Sequence, residues 1–271
     1  LVTAPDFVIA LYFVYCAVAA WIVRVPARRR VGVTLASAAG LAFAAVPPAD
    51  EPLMRLGLDL LPSLAILYGY RVSGLLFTAP DPRVEAALLG ADRWVFERFD
   101  LNRRILRAPR IVLEALEGAY VLCYPLVPGG VAVLHAIGQS GRVLDYWTIV
   151  LPAELLSYAM LPWLRSRPPR AIEGSSAIDR RAPLLRRLNG AILRHGSVQV
   201  NTVPSGHAAG AVAIALALLP ASPLAGLAFL AIATGIMAGS VVGRYHYVVD
   251  AASGAALALA CWAIWFVLRP A

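Results

Sequence analysis

Two short strings place imidazole, carboxylate and guanidinium groups at spacings that suit phosphoryl chemistry. Pro204-Ser205-Gly206-His207 stands at the entrance to an apolar run. Ser205 is placed there to cap a helix, and the uncapped backbone N–H groups of a first turn point at an anion. An imidazole at His207 beside that anion can donate a proton. The second string, Gly243-Arg244-Tyr245-His246-Tyr247-Val248-Val249-Asp250, opens another apolar run. His246 and Asp250 are four residues apart, so on a helix they share a face, and the carboxylate can hold one ring nitrogen while the other meets a substrate. Each string also has a plain structural reading. A histidine at a membrane helix end commonly serves the interface alone, and a His–Asp pair can satisfy itself. Ionisable groups at a span boundary are costly enough to favour function for the second string.

The elements that must position these groups are membrane helices. Of 271 residues, 60% are hydrophobic and 15% charged, which excludes a water-soluble globule. The net charge of +8 is carried entirely by arginine, with no lysine. In so Ala-rich a chain this reads mainly as the base composition of a GC-rich genome, and no nucleic-acid partner is expected. Cys16, Cys123 and Cys261 lie in apolar runs without metal-ligand spacing, so neither a disulfide framework nor a metal site follows. The first apolar run lacks the basic leader and cleavage site of a signal peptide and reads as a retained span.

Eight windows approach the roughly 20 residues needed to cross a bilayer: 7–23, 31–48, 57–78, 110–136, 145–164, 207–219, 222–242 and 248–268. The expected fold is all-α, a polytopic membrane helical bundle of about two N-terminal spans (1–56) and a six-helix core (57–271). Segment 79–109 is an interfacial insertion whose stretch 84–100 suits an amphipathic helix, and 165–206 is an active-site loop. Arg24, Arg28, Arg29 and Arg30 follow the first window, whereas Asp50, Glu51 and Arg55 follow the second; the third and fifth connections are again basic. The positive-inside rule puts the basic connections in the cytoplasm. Two crossings separate His207 from His246, so both fall on one membrane face, and Arg165, Arg167 and Arg170 reach the same face.

These strings resemble the three signature motifs of the type 2 phosphatidic acid phosphatase superfamily: K-x6-R-P, P-S-G-H and S-R-x5-H-x3-D. Pro204 to His207 match the second motif in full, and His246-x3-Asp250 matches the end of the third. The family's Arg falls on Ser240 and the Ser before it on Gly239, with Arg244 two residues before His246 as a substitute. Arg167-Pro168 matches the first motif, but Met160 stands at its Lys position. The run Pro168-Pro169-Arg170, Tyr245-His246-Tyr247, Leu88-Leu89-Gly90 near Asp92, and the extra N-terminal spans are similar to the inositol phosphorylceramide synthase branch.

The resemblance implies that His246 attacks phosphorus to form a phosphohistidine, that Asp250 fixes its tautomer and that His207 protonates the departing alkoxide. Arg167, Arg170, Arg244 and backbone N–H groups around Ser205 and Gly206 would hold the phosphoryl oxygens. The route uses neither cofactor nor metal, and the sequence shows no carboxylate cluster suited to Mg²⁺ at this level. The expected partner is a membrane lipid phosphate or diphosphate, hydrolysed by water. The alternatives are transfer of a phospho-headgroup to an alcohol acceptor and, in another class, an anion transporter, for which the internal inverted symmetry is lacking. Arg71 and Glu117 are expected at similar depth as a buried pair bordering the substrate headgroup, with Glu114 nearby. Asp59 and Glu154 have no partner at useful spacing, and His135 and His195 read as structural or exposed. The expected location is a bacterial inner membrane, with the active site at its cytoplasmic interface.

Overall fold

The computed structural model describes residues 3–47, 51–174, 176–181 and 183–269; Asp50 lies outside them. Among the described residues the regular secondary structure is helical, apart from one isolated antiparallel bridge between Ser166 and Asn201. In chain order the helices are α1 (Ala4–Ile22), α2 (Ala27–Gly40), α3 (Pro52–Gly74), α4 (Pro82–Arg98), α5 (Leu101–Arg107), α6 (Arg110–Val121) and α7 (Cys123–Ala136). They continue with α8 (Val143–Ala159), the single turn α9 (Pro169–Ile172), α10 (Leu184–Gly196), α11 (Gly206–Leu218), α12 (Pro223–Val242) and α13 (Val248–Leu268).

α11 occupies the centre. Apart from His207 it is composed of small and aliphatic residues, and all the others from Gly206 to Leu218 are buried. A helix apolar all round has no polar face to give to water and is sheathed by others. Here α7, α8, α12 and α13 pack around it. α1 and α2 brace the bundle from one side: the Tyr12 hydroxyl donates to the Gly69 carbonyl and the Tyr68 hydroxyl to the Ala36 carbonyl, both at 2.9 Å. Large apolar side chains such as Phe7, Leu11, Leu224, Leu227, Ile264 and Val267 point outward.

α1, α12 and α13 are each long and apolar enough to cross a membrane, and α6 with α7, bent by 64°, makes a fourth if taken as one span. The chain is an integral membrane protein. All eight apolar windows of the sequence carry helix, yet the remaining four differ from self-sufficient spans. α2, α8 and α11 have only 14, 17 and 13 residues, and α3 is long but carries Arg55, Asp59 and Arg71. Thirteen residues of α-helix rise roughly 20 Å against a hydrocarbon core of about 30 Å. α11 tolerates this because protein, not lipid, surrounds its ends.

The connections around Ser166–Arg170, Asn201–Ser205 and Arg244–His246 meet at one end and are stitched by backbone hydrogen bonds. Ser205 N–H donates to the Asp250 carbonyl at 2.9 Å, Arg170 N–H to the Arg244 carbonyl at 3.1 Å, and Asn201 N–H to the Ser166 carbonyl at 2.9 Å. α4 lies across this end. Its buried residues Glu85, Leu88, Asp92 and Phe96 recur every three or four positions, the stripe of one helix face, while Trp94 is turned outward. Both carboxylates of that stripe therefore face the bundle.

Candidate active site

His207 lies in the first turn of α11, and His246 immediately precedes α13. Ser205 starts α11, its hydroxyl accepting from Ala208 N–H at 3.3 Å. The next position is glycine because a Cβ at Gly206 would come within 2.6 Å of the Tyr158 ring. The two imidazoles meet: His207 Nδ1 lies 3.1 Å from His246 Nε2. On its other side, His246 Nδ1 is 3.5 Å from Asp250 Oδ2. That oxygen also accepts from Tyr247 N–H at 2.9 Å and from Asn201 Nδ2 at 2.8 Å. His246 is 4% and Asp250 0% exposed, so neither is free to leave this arrangement for water. His246 Nδ1 and Asp250 Oδ1 have no hydrogen-bond partner among the described residues, and such contacts often tighten only when substrate is bound. The Asp250 carboxylate 3.5 Å from Nδ1 favours the tautomer that keeps the proton on that nitrogen, leaving a lone pair on Nε2 and making His207 Nδ1–H the donor between the rings.

The arginines separate into two groups. Arg170, on α9, lines the same cavity as His207 and His246, with its guanidinium 5.2 Å from the centre of the Tyr245 ring. It has no carboxylate partner among the described residues. Tyr245 in turn stacks on Tyr120 at 4.2 Å and donates to Glu117 at 2.7 Å, which fixes the platform under Arg170. Arg167 instead gives both Nε and Nη2 to Glu85, each at 2.9 Å, and Glu85 also accepts the Arg167 N–H. These bonds hold the Glu85 carboxyl below the usual carboxylate range. Arg244 is buried, pairs with Asp92 and Glu173, and lies over the Phe96 ring at 4.5 Å. Burial pushes the Asp92 carboxyl upward against the pull of Arg244 and of the Val248 N–H. Arg244 has φ 60°, a left-handed conformation uncommon outside glycine, which turns its carbonyl toward the Arg170 N–H.

The cavity measures about 410 Å³. It runs from the two imidazoles and Arg170 between α3 and α7, past Leu60, Leu64 and Val127, so a polar end continues into an apolar one. A second cavity of about 300 Å³, bordered by Asp92, Arg93, Asn102, Glu173 and Arg180, shares Arg170 with the first.

A family model described as the PAP2 superfamily matches residues 86–264, 179 of the chain's 271 residues. The chain belongs to the PAP2 superfamily. Among curated proteins and among solved structures nothing matches it. Membership supports lipid phosphate chemistry of the phosphatase or phosphotransferase type.

Within this PAP2 protein the structure brings together His207, His246, Asp250 and Arg170 and corrects several other expectations. Arg244 does not substitute for the missing motif arginine, because its guanidinium is taken by two carboxylates and does not line the histidine cavity. Arg167 is likewise turned to Glu85. Ser205 and Gly206 do not line the cavity either: the Ser205 N–H is bound by the Asp250 carbonyl, and the Gly206 N–H lies 3.4 Å from Thr202 Oγ1. They set the start of α11 and hence the place of His207.

The Arg71–Glu117 pair is absent. Arg71 is exposed and, among the described residues, reaches only the His195 carbonyl at 3.5 Å, while Glu117 accepts from Arg186 at 2.8 Å, Asn189 at 2.6 Å and Tyr245 at 2.7 Å. Equal depth in two helices does not make their side chains face each other. Glu114 accepts the Leu184 and Leu185 N–H groups at 2.6 and 3.0 Å and so caps α10. Asp59 pairs with His135 at 2.8 Å, and Glu154 accepts from Tyr158 at 2.6 Å. Asn201 was missed by the sequence reading: its amide joins Ser166 to Asp250, linking the arginine loop to the His–Asp pair. No spacing rule singles it out, although it lies three positions before Pro204. Among the described residues no three His, Cys, Asp or Glu side chains cluster as a metal site.

Proposed function

We propose that this PAP2 protein is a phosphatase for a membrane lipid phosphate or diphosphate, working through a phosphohistidine on His246. The observation that carries the reading is the line Asp250–His246–His207, with an uncommitted guanidinium at the same cavity. Asp250 holds the His246 Nδ1–H, so Nε2 presents its lone pair. The phosphate of a bound lipid displaces the 3.1 Å contact between the rings. Nε2 then forms the N–P bond as the P–O bond to the lipid breaks, and the His207 proton passes to the leaving oxygen. Water then forms an O–P bond as the His246 N–P bond breaks, gives a proton to His207, and inorganic phosphate is released. Arg170 carries the charge that develops on the phosphoryl oxygens, so the route needs no metal.

The shape of the cavity supports an amphiphilic substrate, because the phosphate end is basic and the remainder apolar. Arg29 donates to the Phe77 carbonyl at 2.9 Å, beside the loop that bonds Arg165, so the basic connection after α1 shares the candidate site's end. That supports a cytoplasmic site, here assigned to a bacterial inner membrane.

A second reading is transfer of the phosphoryl group, or of a phospho-headgroup, to an alcohol. It is favoured by the second cavity, whose polar walls meet the first at Arg170, and by the likeness of the Pro168-Pro169-Arg170 run to inositol phosphorylceramide synthases. Phosphate release by purified protein from a panel of lipid phosphates, with and without inositol or glycerol, separates the two. Release without an alcohol is the expected result. Release or a new lipid product only when alcohol is present would replace hydrolysis by transfer, and no product under either condition would remove both.

A further inference from the structure

Glu154 has no part in the mechanism above, yet it stands in the wall of the substrate cavity. It belongs to α8, is 4% exposed, and lies among apolar groups of a membrane bundle, where a carboxylate without good partners is expensive. Its Oε2 accepts from the Tyr158 hydroxyl at 2.6 Å; Oε1 accepts from no group among the described residues. A basic partner, the usual remedy for a buried acid, is missing among the described residues. α11 makes room for the carboxylate: Oε1 and its carbon occupy the space that a side chain at Gly210 would need. Gly210 is three residues beyond His207 on the same helix, so the acid sits roughly 4.5 Å deeper along the axis than the imidazole. The Tyr158 ring packs against Tyr70 at 5.2 Å, and both tyrosines line the cavity. An incompletely paired carboxylate in the channel wall, about one helical turn below the phosphate position, is placed to meet a polar hydrogen on the substrate.

We propose that Glu154 is a specificity residue that accepts a hydrogen bond from an O–H or N–H group carried by the lipid one or two carbons from its phosphate. The proposal rests on the phosphate lying between His207, His246 and Arg170. A lipid lacking such a donor leaves the carboxylate buried and underpaired, which is the costly way to bind.

The test uses three single-chain lipid phosphates with one acyl chain: a lysophosphatidate with its free 2-hydroxyl, the 2-deoxy analogue and the 2-amino analogue. Their dissociation constants and phosphate release are measured with the intact protein in detergent. The hydroxyl or the amino lipid is expected to bind at least about tenfold more tightly than the deoxy lipid, and which of the two wins identifies the donor. In Glu154→Leu that ratio falls to about one while affinity for the deoxy lipid is kept, which a purely structural glutamate would not produce. Gly210→Ala, which intrudes on the carboxylate, lowers the same ratio and serves if the leucine variant fails to fold. Equal affinities in the wild-type protein, absence of binding by all three, or an unchanged ratio in either folded variant would overturn the proposal. Discrimination in binding without any phosphate release would contradict the phosphatase reading and leave the role of Glu154 standing; equal release and equal binding would do the reverse.

Discussion

Arg170 and Arg244 are joined by a backbone hydrogen bond, yet they stand in opposite electrostatic settings. Arg244 is enclosed by Asp92 of α4 and by Glu173 at the end of α9, and Arg167 nearby is gripped by Glu85 of α4. Arg170 has an aromatic ring beneath it and two imidazoles on the same cavity, and forms no ion pair with a carboxylate among the described residues. A guanidinium already neutralised by carboxylates has few donors and little net field left for a phosphate. One without counter-charge offers both. Counter-charge, more than register within a motif, therefore decides which arginine serves the anion and which binds α4 to the bundle.

The largest expected effect lies on the anion side. His246→Ala should lower turnover on the order of 10⁴-fold, and His207→Ala by roughly 10²–10⁴-fold, with melting temperature little changed. Arg170→Ala should cost about 10²–10³-fold in kcat/KM. Arg244→Ala should act through stability, by about 3–5 kcal/mol, because it strands two acids. Turnover per folded molecule of the two arginine variants, measured beside thermal unfolding, sharpens the contrast. A stable but inactive Arg244→Ala with an active Arg170→Ala would invert it.

The smallest effect lies on the α4 side and is read in acid. Arg167 holds the Glu85 carboxyl below its ordinary value, so the stabilisation is complete above the unfolded-state pKa of about 4.3 and is lost as pH falls through the lower folded value. Glu85→Gln should flatten the dependence of unfolding temperature on pH below about 4.3 and leave it unchanged near pH 7. The amplitude should be small, because the Arg167 side chain is 47% exposed. An equally steep acid dependence in the variant would show that the pair contributes nothing.

The histidines were legible because each needed only its own string: a capped helix start for His207, and helical spacing for His246 and Asp250. The membrane bundle was legible from apolar windows, and the amphipathic character of α4 from its mixed composition. The arginine assignments were not, since Glu85 lies 82 residues from Arg167, Asp92 and Glu173 lie 152 and 71 residues from Arg244, and the direction of the first two acids depends on how α4 rolls onto the bundle. The Arg71–Glu117 expectation failed for a related reason: helical rise gives depth but not azimuth. Glu117 found its partners on α10, a helix whose docking no local pattern specifies. All eight apolar windows became helices, and what their apolar content did not show is that α11 is sheathed by other helices while α2 turns Val31 and Leu35 outward.

The central claim is that the His246 imidazole takes the phosphoryl group. Purified protein can be quenched in alkali during turnover of a ³²P-labelled lipid phosphate and digested, and its peptides sequenced by mass spectrometry. The account predicts an acid-labile, alkali-stable phosphoryl group on His246 that accumulates in His207→Ala if release of the intermediate is slowed. Continued phosphate release with no label on His246, or label on another residue, would contradict it.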